Sequence, residues 1–474
     1  MEFDKVLPWI VLTIYIVIVF RIAPRSTRPS QFFGGDSEAG IPPGVFLLGV
    51  SAAMSWVMAK SVDNTMNLTA AFGLWGGIGY ATYWAGFVVA GVAVYFLRVK
   101  GGFGSLAEFL TSKYGGTAAK AFLVVIAIRV FNEVWSNTKV TSLYFGPEGS
   151  APYWTAALVV TGFTVLYSWR GGLRSSILTD GFQMVLLALL LACTLAALLP
   201  GLAATGIPSV ARGNVTPAMQ AGGITFFFLA LVQTLSYPFH DPVLTDRAFV
   251  GSPAKMLRAF VVAAIAGGGV ILLFSVPGLY ALAKDTGTEP SVAVAVPKVI
   301  GVWLLLVFNG VMLTSAGSTL DSTFSATAKF AARDWPGKQG APDARQVVWG
   351  RRAMVAVALV GNLPLLGIYW AGLGPAVVAA TTISGTAVMG LAPIFLLAWV
   401  RRAGAPSFHL AFWPGVVIGV IMVIESTTGA TMLPAWVSIG EGKYAQTLGV
   451  NIYGLGLSTL GYLVGTLIPA KRSA

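Results

Sequence analysis

Between Val311 and Asp334 the chain reads VMLTSAGSTLDSTFSATAKFAARD, a hydroxyl-rich stretch closing a long apolar run. On a helix Thr314, Ser318, Ser322 and Ser325 recur every three or four residues, with Ser315 and Thr319 on the adjoining stripe. Polar side chains at membrane depth are costly unless they face protein or a water-filled cavity, which turns this face inward. A hard cation such as Na⁺ takes neutral and anionic oxygens as ligands. Hydroxyls beside freed backbone carbonyls therefore suggest an alkali-ion site. The same groups also serve to join helices or to bond back to their own backbone.

Other groups carry charge or irregularity into apolar segments. Asp180 stands about two turns into an otherwise apolar helix, where an unpartnered carboxylate costs about 2.5–3.5 kcal/mol, so a partner is expected. Lys60 has Asp63 and Asn64 at i+3 and i+4, a ready internal pair; its ammonium also suits clamping a substrate carboxylate or standing in for a cation. Arg129 and Glu133, at i and i+4, are expected to pair. In Ser236-Tyr237-Pro238-Phe239-His240-Asp241-Pro242 two prolines remove backbone donors and disfavour continuous helix. His240 titrates near neutral pH if a cavity reaches it.

The elements that must position these groups follow from composition. Of 474 residues, 56% are hydrophobic and only 10% charged, with a mean hydropathy of +0.78. Soluble domains carry about 25% charge, so this is a polytopic membrane protein. Apolar segments of about 20 residues suggest about thirteen helices. They lie near 6–22, 44–68, 72–97, 118–145, 151–168, 175–199, 220–244, 258–283, 300–328, 353–372, 375–400, 407–424 and 447–468. Segment 44–68 is a poor lipid face, holding Gly49, Ser51, Ser55, Lys60, Ser61, Asp63, Asn64 and Asn67. It and 220–244 are where helix breaks are expected.

Most of the 30 Lys and Arg residues fall in one set of alternate loops. Lys5, Arg212, Lys284, Lys298 and Lys443 lie on the other side, and Lys60, Arg129 and Lys139 within helices. That bias places the N-terminus outside and the C-terminus in the cytoplasm of a plasma membrane, such as a bacterial inner membrane. The net charge of +12 sits in those loops, so no nucleic-acid partner is expected. Cys193, the lone cysteine, excludes intrachain disulfides and cysteine metal clusters. Val6 to Phe20 is long and bulky and lacks a cleavage pattern, which reads as a first span rather than a signal peptide. With two histidines and neither H-E-x-x-H nor G-x-S-x-G, an enzyme is not expected.

The letters Thr314, Ser315, Ser318, Leu320, Asp321 and Ser322, closed by Asp334, resemble the signature helix of the sodium/solute symporter family. That family includes the sodium-coupled sugar, proline and sialic acid carriers; Asp321 stands where it usually has Asn. Gly171-Gly172-Leu173 followed by Thr179-Asp180 and Gln183 is similar to its G-G-L…T-D-x-x-Q stretch. Leu106 to Gly115 resembles its cytoplasmic L-x-E-x-L-x-x-(K/R)-(F/Y)-G segment, and Pro242 to Arg247 and Arg401-Arg402 also fit. The likeness runs from about residue 44 to about residue 410.

The resemblance implies an all-α integral membrane protein with a LeuT-like five-plus-five inverted-repeat fold, one transporter domain over 1–474. Residues 1–43 form an extra helix and loop, 44–200 and 220–400 the repeats, and 401–474 additional helices. In that build the first helix of each repeat is interrupted at the midplane. Na⁺ is then held by the carbonyls of Met54, Val57 and Val311 and the hydroxyls of Thr314 and Ser315. A possible second Na⁺ falls at Asp180 with Ser318 and Thr314, where Gly317 replaces a further serine. The solute is expected near Ser55, Trp56, Lys60, Ser61, Asn132, Trp135, Tyr237, His240 and Asp241. The implied function is Na⁺-coupled symport of a small polar organic solute, an amino acid or monocarboxylate, across the lipid bilayer, for which one chain suffices whatever its oligomeric state. Alternatives are a proton-coupled or sodium-independent carrier of the same fold, and a transporter-like nutrient receptor.

Overall fold

In lipid every backbone N–H and C=O must bond within its own segment, so long apolar runs have to become helices. A computed structural model describes residues 3–367 and 384–469, and the described residues are helical without a strand. Six helices are long and apolar enough to cross a membrane, and a seventh crossing is a pair, Val45–Trp56 and Ala59–Phe72, bent by 61° at its break. This is a multi-pass membrane protein.

In chain order the first half holds α1 (Phe3–Ile22), α2 (Pro29–Gly34), α3 (Val45–Trp56), α4 (Ala59–Phe72), α5 (Leu74–Thr82), α6 (Ala85–Gly101), α7 (Leu106–Tyr114), α8 (Gly116–Ser142) and α9 (Ala151–Thr205). The second half holds α10 (Pro217–Gln233), a 3-10 turn at Tyr237–His240, α11 (Pro242–Arg247), α12 (Pro253–Leu273), α13 (Ser275–Lys284) and α14 (Val292–Ile300). It continues with α15 (Val302–Lys329), a π turn at Phe330–Asp334, α16 (Ala344–Val360) and α17 (Leu363–Gly367). Two further helices, Ala405–Thr428 and Ala445–Gly465, pack on one another. The expected helix at 353–372 is met by α16 and α17 up to Gly367, and the rest of it and the start of 375–400 lie outside the described residues.

The spans expected at 151–168 and 175–199 are joined as α9, 55 residues long with a non-helical kink at Gly172. At 1.5 Å per residue a straight helix of that length would run about 80 Å, far beyond a bilayer core of about 30 Å, so the kink separates two crossings. Gly172 has φ 55° and ψ −143°, and a Cβ there would sit 2.4 Å from the Phe32 carbonyl oxygen of α2. Gly172→Ala is accordingly expected to cost about 1–3 kcal/mol in backbone strain, with the clash added, read as a lower melting temperature in detergent. A melt indistinguishable from wild type would refute this.

At the centre lies α15, against α9, α8, α3 and α4. Every residue from Val311 to Ala328 is buried, so its hydroxyl stripe faces protein and not lipid. Beside it α3 packs closely on α12, with room only for Gly49: a Cβ there would lie 2.7 Å from the Ala259 carbonyl oxygen.

Candidate functional site

The break between α3 and α4 contains no proline. Helix α3 ends at Val57 (φ −76°, ψ 60°) and α4 is capped by Met58 in extended conformation. The ladder restarts with Ser61 and Val62, whose N–H groups both donate to the Met58 carbonyl and so skip that of Val57. The new helix start is held by α8, since the Lys60 N–H donates to Asn137 Oδ1 at 3.2 Å. A second break falls where the prolines require it. After α10 the chain turns through Tyr237–His240, and Asp241 caps α11 by accepting from the Val243 and Leu244 N–H groups at 3.0 and 2.9 Å.

Facing the first break, most α15 hydroxyls are satisfied. Thr319 donates to the Ser315 carbonyl (2.9 Å), Thr323 to that of Thr319 (2.7 Å), and Ser322 shares a 2.9 Å bond with Ser55 of α3. Among the described residues Thr314 Oγ1 and Ser315 Oγ meet no partner although both are buried. Ser325 Oγ, farther along the same helix, is likewise without one. An unmet buried hydroxyl costs about 1–3 kcal/mol, so the adjacent pair Thr314 and Ser315 is a place where a ligand would supply the missing partner. The oxygen donors present fit a hard alkali cation.

Next to this junction opens a cavity of about 650 Å³. Trp56, Lys60, Ser61, Asn132, Trp135 and Tyr237 line it, as do Tyr80, Tyr83, Trp84, Arg129, Gln233 and Tyr444. It reaches Lys443 and Thr447 at one end of the bundle. The opposite end is closed by polar links. Lys329 Nζ lies 2.5 Å from Asp246 Oδ1, Arg98 donates to the carbonyls of Ala248 and Gly251, and Lys113 to those of Ala398 and Val400.

Charge gathers on the cavity floor. Lys60 does not pair with Asp63, as its i+3 spacing suggested; Asp63 instead accepts from Asn67 at 3.0 Å. The 61° bend turns the start of α4 toward α8, and Lys60 Nζ donates to Asn132 Oδ1 at 2.6 Å and to Glu133 Oε1 at 3.2 Å. Arg129 also pairs with Glu133, bonds Asn132 at 3.1 Å, stands 3.6 Å from Asp241 Oδ2, and lies 5.0 Å from the centre of the Tyr237 ring. Two cations and two carboxylates thus balance. An ammonium has three donors and Lys60 spends two on these partners, which leaves one for the cavity it lines. Ser55, His240 and Asp241, expected on the wall, sit behind it. Ser55 is tied to Ser51 and Ser322, and the wholly buried His240 has Nδ1 2.5 Å from the Tyr237 carbonyl.

The fold as a whole, with a helix broken in each half of the chain, is similar to that of solved transporters. The chain is similar to a Na⁺-coupled sialic acid symporter in its substrate-bound outward-open state, at 14% identity over 99% of each chain with a TM-score of 0.70. It also resembles a nucleobase-cation-symport-1 family transporter in a closed conformation with bromovinylhydantoin bound: 12% identity, 94% and 95% coverage, TM-score 0.53. A mutant of the Eremococcus coleocola manganese transporter follows at 12% identity, 89% and 94% coverage and TM-score 0.50. This is a LeuT-like transporter fold. No protein-family profile and no curated protein matches the chain.

In this LeuT-like arrangement Asp180 and Ser318 do come together, with a partner that sequence reasoning missed. Arg247, at the end of α11, places its guanidinium against Asp180 Oδ2 at 3.0 Å, both side chains wholly buried. The signal available was an arginine at the edge of an apolar segment, which requires a carboxylate wherever it ends up at membrane depth. Glu133 as the hub of the cavity charges was equally hidden, because its i, i+4 partner Arg129 explained it locally. Asp321 accepts from the hydroxyls of Tyr167 (2.8 Å), Ser176 (2.7 Å) and Thr179 (2.8 Å).

Proposed function

We propose that this protein is a Na⁺-coupled symporter of a small polar organic solute bearing a carboxylate, an amino acid or monocarboxylate, working by alternating access. The observation that carries the reading is the adjacent pair of buried hydroxyls without a partner, Thr314 and Ser315, on the helix that packs against α3 and α4. With the carbonyls of Met54, Val57 and Val311 they supply five neutral oxygens for one Na⁺. The two repeats, 44–200 and 220–400, move against each other about this site. With the N-terminus outside and the C-terminus cytoplasmic, the cavity mouth at Lys443 is external, and the Lys329–Asp246 link and its neighbours close the cytoplasmic route.

Solute binding falls to the aromatic-walled cavity, with the free Lys60 donor taking the carboxylate. Lys60→Ala is expected to raise the Kd of an acidic ligand at least about tenfold, the loss of about 1.4 kcal/mol, while sparing neutral ligands. Unchanged affinity for the acidic ligand would remove the clamp. Coupling is energetically sufficient: a tenfold Na⁺ gradient is about 1.4 kcal/mol and 100 mV adds about 2.3 per charge, enough for accumulation of several hundredfold.

Two observations weigh against other readings. His240, the group a proton-coupled cycle would use, is wholly buried behind the cavity wall. For divalent transition-metal transport, no cluster of three His, Cys, Asp or Glu side chains able to hold a metal occurs among the described residues. The deciding experiment is a thermal-shift screen of amino acids, carboxylates, sugars and nucleobases with and without Na⁺. A ligand at 100 times its Kd stabilises by about 2.7 kcal/mol. An acidic hit that needs Na⁺, followed by Na⁺-driven uptake into vesicles, supports a symporter. Binding without uptake identifies a receptor, and hits indifferent to exchanging Na⁺ for K⁺ refute sodium coupling.

A further inference from the structure

We propose that Arg247 is a tethered cation filling a second cation cage at Asp180, so that the carrier couples to a single Na⁺. The coupling consequence rests on the sodium-symport reading; the filling of the cage does not. Around Asp180 converge hydroxyls from three helices: Ser51 of α3, which donates to Oδ2 at 2.6 Å, Ser176 of α9, and Ser318 and Ser322 of α15. The Asp180 carboxylate and four hydroxyls, two of which (Ser176 and Ser322) also donate to a second buried carboxylate, Asp321, at 2.7 and 3.2 Å, make an oxygen set of the kind a hard monovalent cation takes. The chain puts its own positive charge there. Arg247 Nε donates to Ser51 Oγ at 3.0 Å, and Nη2 to Ser176 Oγ at 3.0 Å, Asp180 Oδ2 at 3.0 Å and Ser322 Oγ at 2.8 Å.

Fixed charge and geometry together exclude a mobile ion. Like charges a few ångströms apart repel strongly in a buried site, so an alkali ion entering beside the guanidinium forfeits most of what Asp180 would return. The lone pairs of Ser51, Ser176 and Ser322 that would coordinate an ion are already pointed at guanidinium N–H groups. Arg247 reaches this point because the break over Ser236–Asp241 redirects the chain, and α11 then delivers its last residue beside α3, α9 and α15. The first site differs in the one respect that matters: Thr314 and Ser315 carry unmet oxygens and no cation of the chain is bonded to them.

The test is Na⁺ binding to the full-length chain in detergent without solute, by equilibrium binding of radioactive sodium and by melting temperature. Wild type is expected to bind one Na⁺. Arg247→Ala opens the cage and is expected to bind two, the added ion disappearing when Asp180→Asn is combined with it; Arg247→Lys, which keeps a cation, is expected to stay at one. If Arg247→Ala folds only when Na⁺ is present and not with N-methylglucamine, the freed carboxylate is calling for an ion and the proposal is supported. A wild type that binds two ions, one of them lost in Asp180→Asn, overturns it, as does an Arg247→Ala protein that folds in any salt without gaining an ion. A wild type that binds no Na⁺ while Arg247→Ala gains one sinks the sodium-coupled reading and leaves the tethered cation standing.

Discussion

Glu133→Ala is expected to destabilise the protein by about 3–5 kcal/mol, because removing one partner of a buried ion pair leaves its counter-charge stranded. Glu133 is wholly buried and holds both Arg129 and Lys60, whereas Asp241, the other carboxylate, stands 3.6 Å from Arg129. Its loss therefore leaves two cations facing one distant carboxylate. The check is the melting temperature of the detergent-solubilised variant, with Glu133→Ala/Lys60→Met alongside it. The double variant removes one stranded charge and is expected to recover part of the loss, since groups in one network do not add independently. A double variant no more stable than the single would show that the pair contributes little.

Ser315→Ala acts in the opposite sense on the apo protein and is expected to weaken the sodium response. Deleting one of the five oxygen ligands proposed for Na⁺ is expected to raise the half-saturating Na⁺ at least about tenfold, about 1.4 kcal/mol of binding energy. In Na⁺-free buffer the variant is expected to be as stable as wild type or more so, because it removes a buried hydroxyl that has no partner, a group costing about 1–3 kcal/mol. Thr314→Val should behave alike. Melting curves over a Na⁺ titration read both effects. An unaltered titration would mean that the ion binds elsewhere, and a large apo destabilisation would mean that these hydroxyls serve the packing.

A proline kink and a non-proline break show how far local sequence carries. Pro238 and Pro242 lack backbone donors, so the interruption after α10 was readable from residue types. The break at Val57 carries no such mark. It depends on Asn137 of α8 taking the Lys60 N–H, a residue remote in the chain. The junction near Gly172 was placed by the gap between the spans expected at 151–168 and 175–199, but the need for glycine there was not readable, because it comes from the Phe32 carbonyl of α2. The candidate solute site divides the same way. Trp56, Lys60, Ser61, Asn132, Trp135 and Tyr237 line the cavity as their helices led one to expect, while Ser55, His240 and Asp241 lie behind it. One step of 100° on a helix separates a wall from its backing, and periodicity does not say which face a broken helix presents.

By itself, then, the sequence determined that this chain lives in a bilayer as a bundle of helices, with an oxygen-rich stripe that has to face inward. Those properties are set residue by residue, by hydrophobic length and by the cost of polar groups in hydrocarbon. Only the tertiary structure decided who neutralises whom. Lys60 went to Glu133 rather than Asp63, and Asp180 received Arg247 from a segment on the far side of a helix break. Charge pairing acts over a few ångströms of space and is blind to distance along the chain, so partners brought together by two broken helices leave no trace in local spacing.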